Sequence, residues 1–188
     1  MLRAEPWQKG EIAGPTRAFT ITKPAALAGL LRKAKRPILV VGHEAAEAQL
    51  GERKPIDYAI RLSEVAGIPV VATAHTAGEF RKRGFDKVVS MPLVDVANRL
   101  TDESWKGLDG NGQYDLALFM GIQYYMEWVT LSGLKHFASS VTTVSLDPFY
   151  QPHATWSFVN MPLSQWQQSL DEMIEKIQPR PSPSRAHL

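Results

Sequence analysis

The residues able to do chemistry in this chain sit immediately after apolar, β-branched runs. Gly42 and His43 follow Pro37-Ile38-Leu39-Val40-Val41, and Thr73, Ala74 and His75 follow the run that begins at Ile68. Gly121, Gln123 and Tyr124 follow Leu116-Ala117-Leu118-Phe119-Met120, and Asp147 follows the run 141–146. Histidine can bind a phosphate, polarise a carbonyl or shuttle a proton near neutral pH. His43 and His75 are expected to face each other across the sheet edge, in such a role or simply hydrogen-bonding loop backbone. Two histidines need a third ligand to hold a metal well, and no H-E-x-x-H or carboxylate cluster supplies one. No metal is expected. A glycine at 121 admits the close approach of a ligand or of another backbone. Gln123, Tyr124 and Tyr125 behind it could contact a cofactor ring or ribose, or form a tight βα turn with the tyrosines packed on the flanking helix.

The better-known signatures are missing. Gly42 is followed by His43-Glu44-Ala45-Ala46-Glu47, so G-x-G-x-x-G is absent there, and Gly110-Asn111-Gly112 precedes a strand and reads as a turn. There is no G-x-x-x-x-G-K-S/T loop and no G-x-S-x-G elbow. The chain has no cysteine, which excludes disulfides, zinc–thiolate sites, cysteine nucleophiles and Cys-ligated iron–sulfur clusters on this chain alone. A net charge of +2 makes neither nucleic acid nor an anionic membrane the default partner. No apolar run approaches the ~20 residues that span a bilayer, and the N-terminus lacks an apolar signal core. A cytoplasmic α/β protein is the simplest reading.

These residues need a scaffold, and 188 residues, 44% of them hydrophobic, suffice for one domain with a large core. Residues 1–22 read as an N-terminal arm, broken by Pro6, Gly10, Gly14 and Pro15, with Trp7 and Ile12 as apolar anchors. Trp7 either packs on its own domain or docks on a partner. Residues 23–177 read as a single domain. Its first helix follows Thr22 and Pro24, with Leu27, Leu30, Leu31 and Ala34 on one face. Strands are predicted over 37–42, 68–73, 87–90, 114–121, 141–146 and 155–159. Helices are predicted over 53–66 and 124–137, after Pro92, and after Pro162. Arg81-Lys82-Arg83 reads as a solvated loop, with an interface to an acidic partner as the alternative. The Pro/Ser-rich residues 178–188 read as a disordered tail. Strands alternating with helices predict a doubly wound, Rossmann-like three-layer α/β sandwich with a mainly parallel sheet. Such folds bind ligands at the carboxyl ends of the strands, near the point where strand order reverses.

Four stretches, in this order and spacing, carry a family resemblance: KRPILVVGHEAAE, AIRLSEVAGIPVVATAHTAGEF, YDLALFMGIQYY and VTTVSLDPFYQPHATWSF. Together they resemble the epsilon subunits of archaeal acetyl-CoA decarbonylase/synthase complexes, which belong with the carbon monoxide dehydrogenase component. The resemblance runs from Trp7 to Ile177. More loosely, the order RPILVVG, AGIPVVAT, YDLALFMG is similar to the middle domain of thiamine-diphosphate enzymes and to electron-transfer flavoproteins. That kinship implies the deoxyhypusine-synthase-like NAD/FAD-binding fold.

The resemblance implies an accessory, non-catalytic role in one-carbon metabolism and methanogenesis. The chain would join a large alpha subunit, which carries the nickel–iron–sulfur centre, as alpha2-epsilon2. It would stabilise that assembly and assist electrons in reaching FAD. An FAD pocket, where present, would be lined by Gly42, His43, Thr73, His75, Gly121, Gln123, Tyr124 and Asp147. An independent flavin- or nucleotide-binding protein and a stand-alone small-molecule sensor are the competing readings. Self-association of the isolated chain stays open.

Overall fold

Runs of apolar residues buried on both sides become central strands, because a parallel sheet is covered on both faces by its crossover helices. In the computed structural model, residues 16–73 and 75–177 are described. Seven strands form one sheet: β1 (Phe19–Thr20), β2 (Pro37–Val41), β3 (Val70–Ala72), β4 (Val88–Ser90), β5 (Leu116–Met120), β6 (Thr142–Ser145) and β7 (Trp156–Ser157). All neighbours pair in parallel, in the order β1-β7-β6-β5-β2-β3-β4. Seven helices are described: α1 (Ala25–Lys33), α2 (Glu44–Glu47), α3 (Pro55–Ala66), α4 (Thr76–Lys82), α5 (Leu93–Thr101), α6 (Tyr124–Phe137) and α7 (Leu163–Lys176).

Alternate strand residues feed two cores. Leu39, Val41, Leu118 and Met120 pack with Leu27 and Leu31 of α1, Ile56 and Leu62 of α3, Phe80 of α4 and Leu170 of α7. Ile38, Val40, Ala117 and Phe119 face the other way, onto Val96 and Leu100 of α5 and Leu131 and Leu134 of α6. The architecture is the doubly wound α/β sandwich that the alternation of elements predicts. From β2 the chain winds outward through β3 and β4, then crosses back to β5 on the far side of β2. The strand order therefore reverses between β2 and β5, and the loops after these two strands border the crevice where such folds bind ligands.

Two local readings change. The segment before Thr22 is not wholly an irregular arm. Phe19 and Thr20 pair with β7, Ala18 and Ile21 are buried, and the Ile21 N–H donates to Ser157 O at 2.8 Å. Phe19 also packs on Trp156, with ring centroids 5.1 Å apart. A two-residue strand is held by the sheet edge it joins, so no pattern of its own announces it. Trp7, Ile12 and the tail 178–188 lie outside the described residues. Arg81 and Lys82 are solvent-exposed but end α4 instead of forming a loop, and Arg83, half-buried, is its C-cap. Arg83 Nε donates to Asp57 Oδ1 at 2.9 Å and its guanidinium also reaches Glu79 at 3.1 Å, which ties α4 to α3.

Candidate functional site

Two glycines control the crevice at the reversal point. The Gly42 N–H donates to Met120 O at 2.9 Å, and the Glu44 N–H donates to Gly121 O at 3.0 Å. A Cβ on Gly42 would lie 2.2 Å from Gly121 O. Gly121 adopts φ +67°, and a Cβ there would lie 2.4 Å from the Ala45 amide nitrogen. Of the two readings of this glycine, the close approach of another backbone is the one realised. The loop after β2 lies directly on the loop after β5.

That contact decides what the crevice can hold. A pyrophosphate in a Rossmann-type site rests on free N–H groups at a helix N-terminus. Here α2 is a single turn, and the N–H groups of Glu44, Ala45 and Ala46 already bond Gly121 O, Gly42 O and His43 O. The residues present do not fit the pyrophosphate of FAD between β2 and β5.

The open space lies beside this contact, on the α7 side. It is a cavity of about 230 Å³. Ala48, Pro55, Ile122, Phe149, Leu163 and Trp166 supply apolar walls. Asp147, Glu127 and Gln151 line its buried polar side, and Glu44, Gly121, Tyr124 and Pro148 complete it. Trp166 is fixed by a 2.7 Å hydrogen bond from its indole N–H to Leu146 O. Trp166→Phe is expected to leave that buried carbonyl unpaired and to cost about 1–3 kcal/mol, measurable by urea denaturation; an unchanged midpoint and slope would show the bond to be dispensable.

The buried carboxylates are the site's distinctive chemistry. Asp147 accepts the Gly121 N–H on both carboxylate oxygens, at 2.8 and 2.9 Å. Gln151 Nε2 donates to Tyr124 O at 3.0 Å and to Glu127 Oε2 at 3.3 Å. Burial pushes Glu127 well above the ordinary carboxylate range, and the charge of Asp147 pushes it further, while Ser145 and Gln151 pull the other way. Asp147 is pushed up to about 7, first by burial, against the backbone N–H groups of Gly121 and Ile122, and with the charge of Glu44 adding to the rise. Two facing acids of this kind titrate as a pair.

Of the residues expected to line a pocket, Gly121, Tyr124 and Asp147 do so. Gly42 lies in the backbone contact beside the cavity. Thr73 is buried at the end of β3, its N–H on Val41 O at 2.9 Å. Gln123 precedes α6 and does not line the cavity. His43, half-buried, precedes α2, and His75, exposed, precedes α4; neither lines the cavity, and no hydrogen bond joins them among the described contacts. The tyrosine reading divides. Tyr124 donates to Tyr150 O at 3.2 Å, whereas Tyr125 is exposed.

Glu127 was not legible as a site residue, yet it carries a signal. It stands four and seven residues before Leu131 and Leu134, on the buried stripe of α6. A glutamate in an apolar stripe is a buried acid in waiting. Among the described residues, no group of three His, Asp or Glu could hold a metal ion, and no helix is long and apolar enough to cross a membrane.

Comparison with known proteins gives a consistent picture. The family described as CO dehydrogenase beta subunit/acetyl-CoA synthase epsilon subunit matches residues 1–174. The chain is 40% identical over 148 residues to the acetyl-CoA decarbonylase/synthase complex subunit epsilon 1 of Archaeoglobus fulgidus, covering 78% of this chain and 77% of the relative. It is 35% identical over 173 residues to the complex subunit epsilon of Methanothermobacter thermautotrophicus, covering 91% and 95%. With the corresponding subunit of Methanothrix soehngenii it shares 37% identity over 172 residues, covering 90% and 89%.

Proposed function

The chain belongs to the CO dehydrogenase beta subunit/acetyl-CoA synthase epsilon subunit family, and from that premise we propose that it is a non-catalytic assembly subunit of an acetyl-CoA decarbonylase/synthase complex. Its partner is the large alpha subunit of the carbon monoxide dehydrogenase component, in an alpha2-epsilon2 arrangement that it stabilises.

The observation that carries this reading is an apolar outer face on α6. Tyr125 and Val129, one helical turn apart, are 64% and 63% exposed, and Phe137 at the end of the same helix is 75% exposed. Several large apolar side chains along one outward-facing helix mark an interaction surface. The inner face of that helix is already spent on Leu131 and Leu134 in the core.

The experiment is to mix the purified chain with the alpha subunit and measure affinity. Wild-type chain is expected to form a stable complex. Val129→Asp is expected to weaken it at least about tenfold, as loss of a central interface contact does, without changing thermal unfolding. Absence of a complex would sink the reading, and equal affinity would remove α6 from the interface. Any help to electrons on their way to FAD comes, on this reading, from holding subunits in place, since the backbone contact occupies the crevice between β2 and β5. An absorbance titration of the isolated chain with FAD is expected to show no saturable binding. Saturable binding would favour the independent flavin protein instead.

A further inference from the structure

The cavity beside α7 presents an acidic, incompletely bonded floor behind an apolar mouth. Glu44, Glu127 and Asp147 all line it, and none of the three takes part in an ion pair among the described residues. Oε1 of Glu127 and Oε1 of Gln151 are buried without a hydrogen-bond partner, on side chains that are each 1% exposed. Both atoms belong to side chains that line the one cavity, and a donor entering it would pair them, because a buried polar atom left unpaired is costly; a cationic donor would also hold the acid pair in its ionised form. At the mouth, Phe149 and Leu163 are half-exposed.

The dimensions narrow the donor. A volume of about 230 Å³ falls below the roughly 300–1,000 Å³ of pockets that enclose small-molecule ligands. It is room enough for one long side chain. Lysine and arginine combine an apolar stem with a cationic head rich in donors and without an acceptor. We propose that this cavity receives a lysine or arginine side chain of the partner subunit, its stem against Phe149 and Leu163 and its cation on Glu127, Gln151 and Asp147. The inference rests on the assembly role proposed above and adds where the partner is gripped and by what chemistry. Charge complementarity selects a cation over an apolar anchor: an aromatic or aliphatic plug would seal the acids and the two unpaired acceptors in hydrocarbon.

Two measurements on the full chain test it. The first follows backbone amide NMR shifts while n-propylguanidinium is titrated, with n-propylurea as the uncharged control. Saturable shifts centred on Glu127, Asp147, Phe149 and Gln151, at least tenfold weaker with the urea, are expected. Equal response to both probes, or none, would overturn the proposal. The second compares binding of the alpha subunit by wild type, Glu127→Gln and Leu163→Lys, the latter placing a like charge at the mouth, with thermal unfolding of each chain as the folding control. Both variants are expected to fold and to bind at least tenfold more weakly. If wild type and both variants bind alike, the cavity is not the docking site while the assembly role stands. If wild type itself fails to bind, the assembly role falls and this inference with it. Guanidinium binding together with undiminished assembly would make the cavity a site for a small free cation and would overturn docking.

Discussion

Gly121→Ala is expected to cost the fold about 4 kcal/mol. Two separate penalties meet at that position. An alanine at φ +67° pays for a left-handed backbone, and its Cβ would overlap the Ala45 amide at 2.4 Å. The obstructing atoms are the backbone and Cβ of Ala45, which cannot rotate away. Gly42→Ala should be comparably damaging without the φ penalty, because its Cβ would stand 2.2 Å from Gly121 O. Gly29 supplies the opposite sign. It lies inside α1, and an alanine Cβ there would meet nothing within 4 Å, so Gly29→Ala should stabilise by about 0.5–1 kcal/mol through helix propensity alone. Urea denaturation of the three variants checks the set. A Gly121→Ala midpoint equal to wild type would mean that the two loops separate without cost, and the crevice would again be open to a ligand.

The second large effect is a pH dependence carried by the buried acids. Glu127 and Asp147 both have folded-state pKa values raised above the ordinary carboxylate range. In the unfolded chain they ionise from about pH 4 upward, while in the folded chain they hold their protons longer. Their contribution to stability is therefore complete below about pH 4 and is lost as pH rises. For Asp147 the loss runs until its folded value of about 7, and Glu127, raised in the same direction, loses its share as pH rises as well. Glu127→Gln removes one of the two titrations and keeps the shape. Its stability relative to wild type should improve by more than about 1 kcal/mol between pH 4 and pH 8, the equivalent of one pKa unit. Taking the difference between the two proteins cancels the surface carboxylates, such as Asp102 and Glu79, whose pKa values are lowered by their hydrogen bonds and shift stability in the opposite sense. A pH-independent difference would show that the pair is not buried as a proton-sharing unit.

Much of the scaffold is legible in the chain because burial on two faces leaves a one-dimensional trace. The runs that became β2 and β5 are apolar at every position. The helices expected after Pro92 and Pro162 are α5 and α7, whose Val96 and Leu100, and Trp166, Leu170, Met173 and Ile174, reach the cores at helical spacing, whereas Leu163 stays half-exposed. Elements held by a neighbour leave no such trace. Phe19–Thr20 is a strand because β7 lies beside it, and the single turn of α2 is anchored by the Gly121 carbonyl. Arg83 looked like part of a solvated run because its partner Asp57 lies 26 residues away in sequence.

The candidate site divides along the same line. Residue type and position after a strand were enough to mark Gly121, Tyr124 and Asp147, since a parallel sheet delivers its strand ends to one edge whatever the details of packing. The sequence also determined the absence of thiol chemistry and the family to which the chain belongs. Only the tertiary structure decided that the glycines serve a backbone contact, that His43 and His75 stay out of the cavity, and that Glu127 joins Asp147 in it. The physical reason is distance along the chain. Strand burial and helix periodicity are set by neighbours a few residues apart, whereas the closure of the crevice and the pKa of the acid pair depend on atoms from segments that only folding brings within a few ångströms.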